Sequence, residues 1–116
     1  MAKALGIGGV FFRVRDTEAL AAWYQTHLGI SGFWDQEGGL TIFAPFRADT
    51  DYFPAGQQTM LNFRVDDLDG LVAQLTAAGI EVETRPDEWD TAETGRFGRV
   101  IDPEGNHVEL WQKPTS

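Results

Sequence analysis

Two stretches of the chain alternate apolar and other residues with the period of a β-strand. Apolar residues occupy every second position of 10–14 and again of 61–65. Successive side chains of a strand point to opposite faces of its sheet, so this period predicts one strand in each stretch. Each of these strands is expected to present one uniformly apolar face to a core.

A helix is predicted directly after each of these two strands. Asp16 and Asp67 are good N-cap residues, and apolar residues then recur at helical spacing. Gly29 and Gly79 follow the two periodic segments and suit the position just beyond a helix C-terminus, where the chain turns left-handed.

The two strand–helix stretches also match each other in sequence, which indicates an internal repeat. The sequence Phe-Arg-Val-Arg-Asp at 12–16 returns as Phe-Arg-Val-Asp-Asp at 63–67. Further strands are predicted at 32–35 and 40–46 after the first helix, and at 81–84, 96–101 and 108–112 after the second. We therefore predict a single α+β domain made of two repeated modules, 6–46 and 58–113, joined by a loop at 47–57. The first module is the shorter one, by about one strand.

The composition is that of a soluble globular protein and argues against several classes of function. The 116 residues are 42% hydrophobic and 23% charged, enough for one domain with a core of its own. The net charge of -9 argues against nucleic acid and anionic membranes as partners, because both attract clustered Lys and Arg. The absence of cysteine excludes disulfides and thiolate chemistry. Without a signal-peptide pattern or a bilayer-length apolar run, a cytoplasmic protein is expected.

Three stretches resemble the vicinal oxygen chelate superfamily, which includes glyoxalase I, bleomycin-resistance proteins and extradiol dioxygenases. They are residues 14–29, 63–69 and 102–111, and the last, Asp-Pro-Glu-Gly-Asn-His-Val-Glu-Leu-Trp, is the most specific. The resemblance implies paired βαβββ modules whose curled sheets form a cup, commonly completed across a homodimer. It leaves the chemistry open, because this fold hosts isomerases, dioxygenases and plain binding proteins.

The metal site that this resemblance implies is predicted to be absent. Carried over by position, its ligands would be Gly9, Ile42, Met60 and Glu109. Gly9 and Ile42 offer no donor atom, and the thioether of Met60 is unsuited to the divalent metals of the family. A single carboxylate cannot hold a catalytic divalent cation, which needs about three protein ligands. No metal and no other cofactor is therefore expected.

The two histidines are not expected to replace the missing ligands. His107 and Glu109 lie two residues apart on one predicted strand and could share a face, but no third ligand is apparent. The prediction for His107 is a solvated residue beside a hairpin turn. His27 is expected at the surface or in an interface near the C-terminus of the first helix.

The alternation of the strands and the implied cup together predict the lining of a small-molecule pocket. The candidate ligand-binding residues are Phe11, Arg13, Trp34, Ile42, Met60, Asn62, Arg64, Phe97, Glu109 and Trp111. Aromatic and apolar walls with a few polar groups are typical of such pockets. Arg13 and Arg64 could orient a polar or anionic ligand, or could instead pair with surface carboxylates. The aromatic residues could equally belong to the core or to a dimer interface.

The leading prediction for function is a metal-independent protein that binds an aromatic or polar organic ligand in the cup, as a homodimer. The alternative is an enzyme, either a metal-dependent glyoxalase-like lyase, isomerase or dioxygenase, or a metal-free one. In the metal-free case, Glu109 would be the catalytic residue, because a desolvated carboxylate is suited to act as general base. A third possibility is a protein-interaction module whose cup is filled by its own aromatic side chains.

Overall fold

Three helices and one three-stranded sheet form the regular structure in the computed structural model, which describes residues 1–115. In chain order the elements are α1 (Thr17–Leu28), β1 (Leu61–Arg64), α2 (Leu68–Ala77), α3 (Pro86–Trp89), β2 (Arg96–Ile101) and β3 (His107–Gln112). The α+β class predicted from the sequence is confirmed. No helix within residues 1–115 has the length and apolar character needed to cross a membrane.

Both helix predictions are confirmed. The signals that start and stop these helices lie within a few residues of the helix ends. The side chain of Asp16 accepts a hydrogen bond from the Ala19 N–H at 3.0 Å, and that of Asp67 does the same for Gly70 at 3.0 Å. These N-caps satisfy backbone donors that have no partner within the helix. At the other ends, Gly29 and Gly79 have φ angles of 72° and 81°, which a residue with a Cβ rarely adopts.

The sheet has the strand order β1-β3-β2, with β3 parallel to β1 and antiparallel to β2. Strands β2 and β3 form a hairpin, and the turn between them is held by the buried carboxylate of Asp102. This carboxylate accepts hydrogen bonds from the backbone N–H groups of Glu104 and Asn106 at 2.9 and 3.0 Å. It also accepts a hydrogen bond from the hydroxyl of Tyr24 at 2.7 Å, which connects the turn to α1.

The core lies between α1, α2 and one face of the sheet. Its most deeply buried residues are each at most 1% exposed: Leu68, Leu75, Val100, Val108 and Leu110. Burial of a Leu or Val side chain contributes roughly 1.5–3 kcal/mol, so this layer is the main source of stability in the described fold. Because the helices cover one face, the other face of the sheet is available for a site.

The strands predicted at 10–14, 32–35 and 40–46 are absent, and the segment 81–84 contributes a single bridge, from Glu83 to Arg99. Several apolar side chains of the first two-fifths of the chain are exposed instead, including Phe11 at 95% and Phe43 at 94%. A strand needs a neighbouring strand to bond its N–H and C=O groups, and an apolar alternation does not supply that neighbour. The division into two repeated modules stays a prediction.

Candidate functional site

The face of the sheet opposite the helices carries a row of three polar side chains. Asn62 on β1 and Arg99 on β2 both lie directly opposite Glu109 on β3. Side chains at paired positions stand on the same face, and the flanking Val108 and Leu110 point into the helix-covered core. An amide, a carboxylate and a guanidinium therefore cross this face side by side.

Glu109 is the centre of this row and is only 9% exposed. One carboxylate oxygen accepts a hydrogen bond from Asn62 Nδ2 at 2.7 Å, and the other accepts the hydroxyl of Tyr52. A buried carboxylate is costly unless donors satisfy its oxygens, and these two side chains supply them. Tyr52 comes from the loop 47–57, so this loop is fastened to the sheet through Glu109.

The environment of Tyr52 keeps its hydroxyl protonated. Burial, followed by the hydrogen bond to Glu109 and the charge of that carboxylate, raises the pKa of Tyr52 to about 12, although Arg99 opposes the shift. The phenol therefore remains a hydrogen-bond donor to Glu109 throughout the physiological pH range.

Arg99 is half-buried between aromatic rings. Its guanidinium carbon lies 4.6 Å from the ring centroid of Tyr52 and 5.1 Å from that of Trp89. The Trp89 ring is brought there by the short helix α3, and its edge meets Tyr52 at a centroid distance of 6.3 Å. The only acidic side chain within salt-bridge range in residues 1–115 is Glu83, whose Oε1 lies 3.7 Å from Nη1 of Arg99. The guanidinium is thus held mostly by cation–π contacts.

Two cavities adjoin this arrangement. One of about 390 Å³ lies between the segment 50–55 and the sheet, and another of about 760 Å³ extends toward the segment 79–84. Arg99 and His107 line both of them. Arg99 is thus the member of the polar row that borders both cavities.

Five of the residues predicted from the sequence lie on this face of the sheet: Asn62, Arg64, Phe97, Glu109 and Trp111. The rings of Phe97 and Trp111 stack at 6.2 Å and 7°. The indole N–H of Trp111 donates to the carbonyl oxygen of Thr94 at 2.7 Å. Arg64 donates to the backbone carbonyl oxygens of Glu37 at 2.6 Å and Gly38 at 3.3 Å, so it secures that loop.

The other five predicted residues are not assembled on this face. Phe11, Arg13 and Ile42 are exposed, because the strands that were to place them in the cup are not formed. Trp34 packs against Phe63 at a centroid distance of 6.0 Å, and Phe63 belongs to the helix-facing side of β1. Met60 is half-buried just before β1.

The histidine predictions have mixed outcomes. His107 follows the hairpin turn as predicted and begins β3, but it is half-buried and its Nδ1 is out of solvent. The side chain of Gln57 accepts a hydrogen bond from the backbone N–H of His107 and donates one to its C=O, both at 2.9 Å. His27 lies in the last turn of α1 as predicted and is half-buried, with its ring at 5.4 Å from that of Trp23.

Sequence reasoning missed Tyr52, Trp89 and Arg99 as members of the site. A signal for Arg99 was present, because counting outward from the hairpin turn sets it opposite Glu109. Nothing comparable marks Tyr52, whose place depends on the path of a loop.

The positions implied for metal ligands do not form a metal centre. Gly9 and Ile42 contribute no donor atom, and both oxygens of Glu109 already accept hydrogen bonds from Asn62 and Tyr52. Within residues 1–115, no three His, Cys, Asp or Glu side chains are grouped as possible ligands. A divalent cation needs about three such ligands, so these residues do not fit the metal that the superfamily implies.

Comparisons with known proteins agree with this fold. The family model of a glyoxalase-like domain matches residues 9–111. Among solved structures, an antibiotic binding protein from Streptomyces sp. CB03234, TnmS3, is 29% identical, with 95% of this chain and 99% of that chain covered and a TM-score of 0.59. A glyoxalase/bleomycin resistance protein from the same organism is 31% identical, with 85% and 93% covered and a TM-score of 0.54.

A more distant structure shares the fold alone. The fosfomycin resistance protein FosX from Listeria monocytogenes, complexed with Mn(II) and sulfate, is 18% identical, with 93% of this chain and 92% of that chain covered and a TM-score of 0.56. No functionally curated protein matches the chain.

Proposed function

The chain belongs to the glyoxalase-like family within the vicinal oxygen chelate superfamily, and we propose that it is a small-molecule-binding protein that works without a metal. The observation that carries this proposal is the face of the sheet around Glu109. There, a buried carboxylate, a guanidinium and an amide lie in one row, and the rings of Tyr52 and Trp89 lie against the guanidinium. Flat apolar surfaces with a few fixed polar groups are what an organic ligand requires.

The polar groups of this face are suited to hold a ligand in one orientation. Glu109 is fixed by Asn62 and Tyr52, and Arg99 is held by ring contacts, so these groups need little further ordering when a ligand binds. The similarity to a protein described as antibiotic binding supports a binding role over a purely structural one. We propose Asn62, Phe97, Glu109 and Trp111 as ligand-binding residues, and we add Tyr52, Trp89 and Arg99.

Metal independence is supported by the chemistry of the donor set. Gly9 and Ile42 lack donors, and Glu109 already has a partner for each oxygen. The test is metal content by plasma mass spectrometry after expression with iron, nickel, zinc and manganese supplied. We expect metal far below one equivalent. Near-stoichiometric metal would contradict the proposal and favour a glyoxalase-like or dioxygenase enzyme.

Binding itself is tested by titrating a library of planar aromatic and antibiotic-like compounds while tryptophan fluorescence is recorded. Trp89 and Trp111 flank the site, so an occupied site should quench the emission. The variant Glu109→Gln should weaken binding, because a neutral amide cannot accept both hydrogen bonds that position Asn62 and Tyr52. Glu93→Gln, at an exposed position outside the site, is the matched control and should bind normally. A library that gives no response at all would refute the proposed function.

We also propose that the protein is a homodimer. Large apolar side chains such as Leu5, Phe11, Phe33 and Phe43 are each more than nine-tenths exposed in the single chain. Within residues 1–115, β1 is in addition an edge strand with one side unpaired. Exposed apolar patches and open sheet edges are features that proteins usually cover. Light scattering coupled to gel filtration should give twice the mass of 12.9 kDa, and Phe43→Asp should shift it toward the monomer. A wild-type monomer at high concentration would refute the dimer without affecting the ligand test.

A further inference from the structure

Two polar atoms at the site are buried without a partner. Within residues 1–115, Arg99 Nε and His107 Nδ1 are the side-chain nitrogen or oxygen atoms that are out of solvent and make no hydrogen bond. Both residues lie on the same face of adjacent strands and line the cavity of about 390 Å³ under the segment 50–55. Buried polar groups almost always have partners, so two unpaired ones at one cavity indicate a group that binds there.

The charges around Arg99 argue against an anion as that group. Arg99 lies 3.7 Å from the carboxylate of Glu83 and occupies the strand position directly opposite Glu109. Two carboxylates thus already face one guanidinium, and the whole chain carries a net charge of -9. A third negative charge would be repelled, whereas a neutral acceptor would gain a charge-assisted hydrogen bond without that repulsion.

The surroundings also set the shape of the ligand. The Tyr52 and Trp89 rings lie over the guanidinium at 4.6 and 5.1 Å. Because Tyr52 is held by Glu109, a flat molecule can replace the contact with Trp89 by stacking, and it can then present an edge atom to Nε. His107 Nδ1, which can donate or accept according to its tautomer, lines the same cavity and is available to a second polar atom of the ligand.

We infer that the ligand is a neutral planar aromatic compound whose carbonyl oxygen accepts a hydrogen bond from Arg99 Nε. This inference rests on the proposed function and narrows it to one class of ligand. It assigns the orienting role to Arg99 and not to Arg13 and Arg64, which the sequence offered for a polar or anionic ligand, since Arg13 is exposed and Arg64 is bonded to backbone carbonyls.

The test compares two probes of the same size, 2-acetylnaphthalene, which is neutral with a carbonyl, and 2-naphthoate, which is an anion. Binding is followed by the indole N–H signals in nitrogen–proton correlation spectra, and the four tryptophans provide the reporters. We expect the ketone to bind about 10-fold more tightly than the carboxylate, the factor expected for one hydrogen bond to a charged group.

Variants then assign the preference to Arg99. Arg99→Lys keeps the charge but has no donor at the Nε position. It should therefore weaken binding of the ketone about 10-fold while changing the affinity for 2-naphthoate little. Arg96→Lys, on the same strand but paired with Asp69 outside the site, is the control for folding and should leave both affinities unchanged.

The outcomes separate the inference from the proposed function. If 2-naphthoate binds as tightly as the ketone, or if Arg99→Lys leaves the ketone affinity unchanged, the inference is refuted while small-molecule binding stands. An unchanged ketone affinity would show that the ligand does not accept a hydrogen bond from Arg99 Nε. If neither probe shifts an indole signal, the inference is refuted, and the proposed function is then decided by the library titration.

Discussion

The two tyrosines of the chain should both resist ionisation in alkaline solution. Each donates its hydroxyl to a carboxylate with little solvent exposure, Tyr24 to Asp102 and Tyr52 to Glu109. Burial is the main cause, and it raises the pKa of Tyr24 well above its usual value and that of Tyr52 to about 12. Since the sequence holds no other tyrosine, the absorbance of tyrosinate reports on these two residues alone.

The size of the effect makes it easy to measure. At about pH 11, a phenol with a pKa of about 10 is roughly 90% ionised, whereas one with a pKa of about 12 is roughly 10% ionised. The folded protein should therefore show little tyrosinate absorbance at that pH, and the protein unfolded in urea should show nearly all of it. The variant Tyr24→Phe leaves Tyr52 as the sole chromophore and assigns its pKa.

The raised pKa of Tyr52 also predicts how the free energy of unfolding changes with pH. Because the folded-state pKa of Tyr52 lies above the unfolded one, its contribution is complete below about pH 10 and is lost as the pH rises toward 12. Two pKa units correspond to an upper limit of about 2.7 kcal/mol, which solvent screening of this half-buried residue reduces to about 1 kcal/mol. Urea unfolding at increasing pH measures this loss, and Tyr52→Phe should remove part of it.

A substitution of Glu109 tests whether the Tyr52 hydroxyl donates its hydrogen bond to this carboxylate. In the Tyr24→Phe background, Glu109→Gln should lower the pKa of Tyr52, since it removes both the charge and the charged acceptor, while Glu93→Gln should not. If Tyr52 ionises at about pH 10 in the folded protein, the loop 47–57 is not fastened to Glu109 and the description of the site is wrong.

Two further predictions concern the scaffold. Leu110→Ala, at a position with no exposed surface, should lower the free energy of unfolding in urea by about 2–5 kcal/mol, whereas Ile101→Ala, at 54% exposure in the same sheet, should cost less than about 1 kcal/mol. Gly95→Ala should lower the melting temperature, because φ is 100° there and a Cβ would collide with the carbonyl oxygen of Gln112. Gly56→Ala, with open space around it, should leave the melting temperature nearly unchanged.

The parts of the fold that were predictable from the sequence are those fixed by near neighbours. Asp16 and Asp67 cap their helices through residues three positions away, and the turn at 102–106 fixes the pairing of β2 with β3. In each case the signal and the structure it specifies are a few residues apart. The face that carries Asn62 and Glu109 follows in the same way, because alternation along a strand needs no knowledge of distant residues.

The remaining predictions depended on pairings between distant segments. The alternation at 10–14 was a valid strand pattern, but no partner strand reaches it in the described chain, so Phe11 and Arg13 are exposed. Arg64 is on the predicted face, yet its guanidinium donates its hydrogen bonds to the backbone carbonyl groups of residues 37 and 38. Tyr52 reaches Glu109 across 57 positions of sequence, and no local pattern encodes that contact.

The hydrogen bonds of Glu109 and the missing metal ligands have one physical explanation. A carboxylate that is only 9% exposed needs either a cation or hydrogen-bond donors to offset its lost hydration. Gly9 and Met60 stand at positions where the superfamily implies ligands, and the amide of Asn62 and the phenol of Tyr52 satisfy the two oxygens of Glu109. Asn62 comes from β1, whereas Tyr52 comes from the loop 47–57, whose path across the sheet also places the Tyr52 ring against Arg99. A surface of this kind recognises a ligand by stacking and hydrogen bonding, which is why binding rather than turnover is the activity we expect.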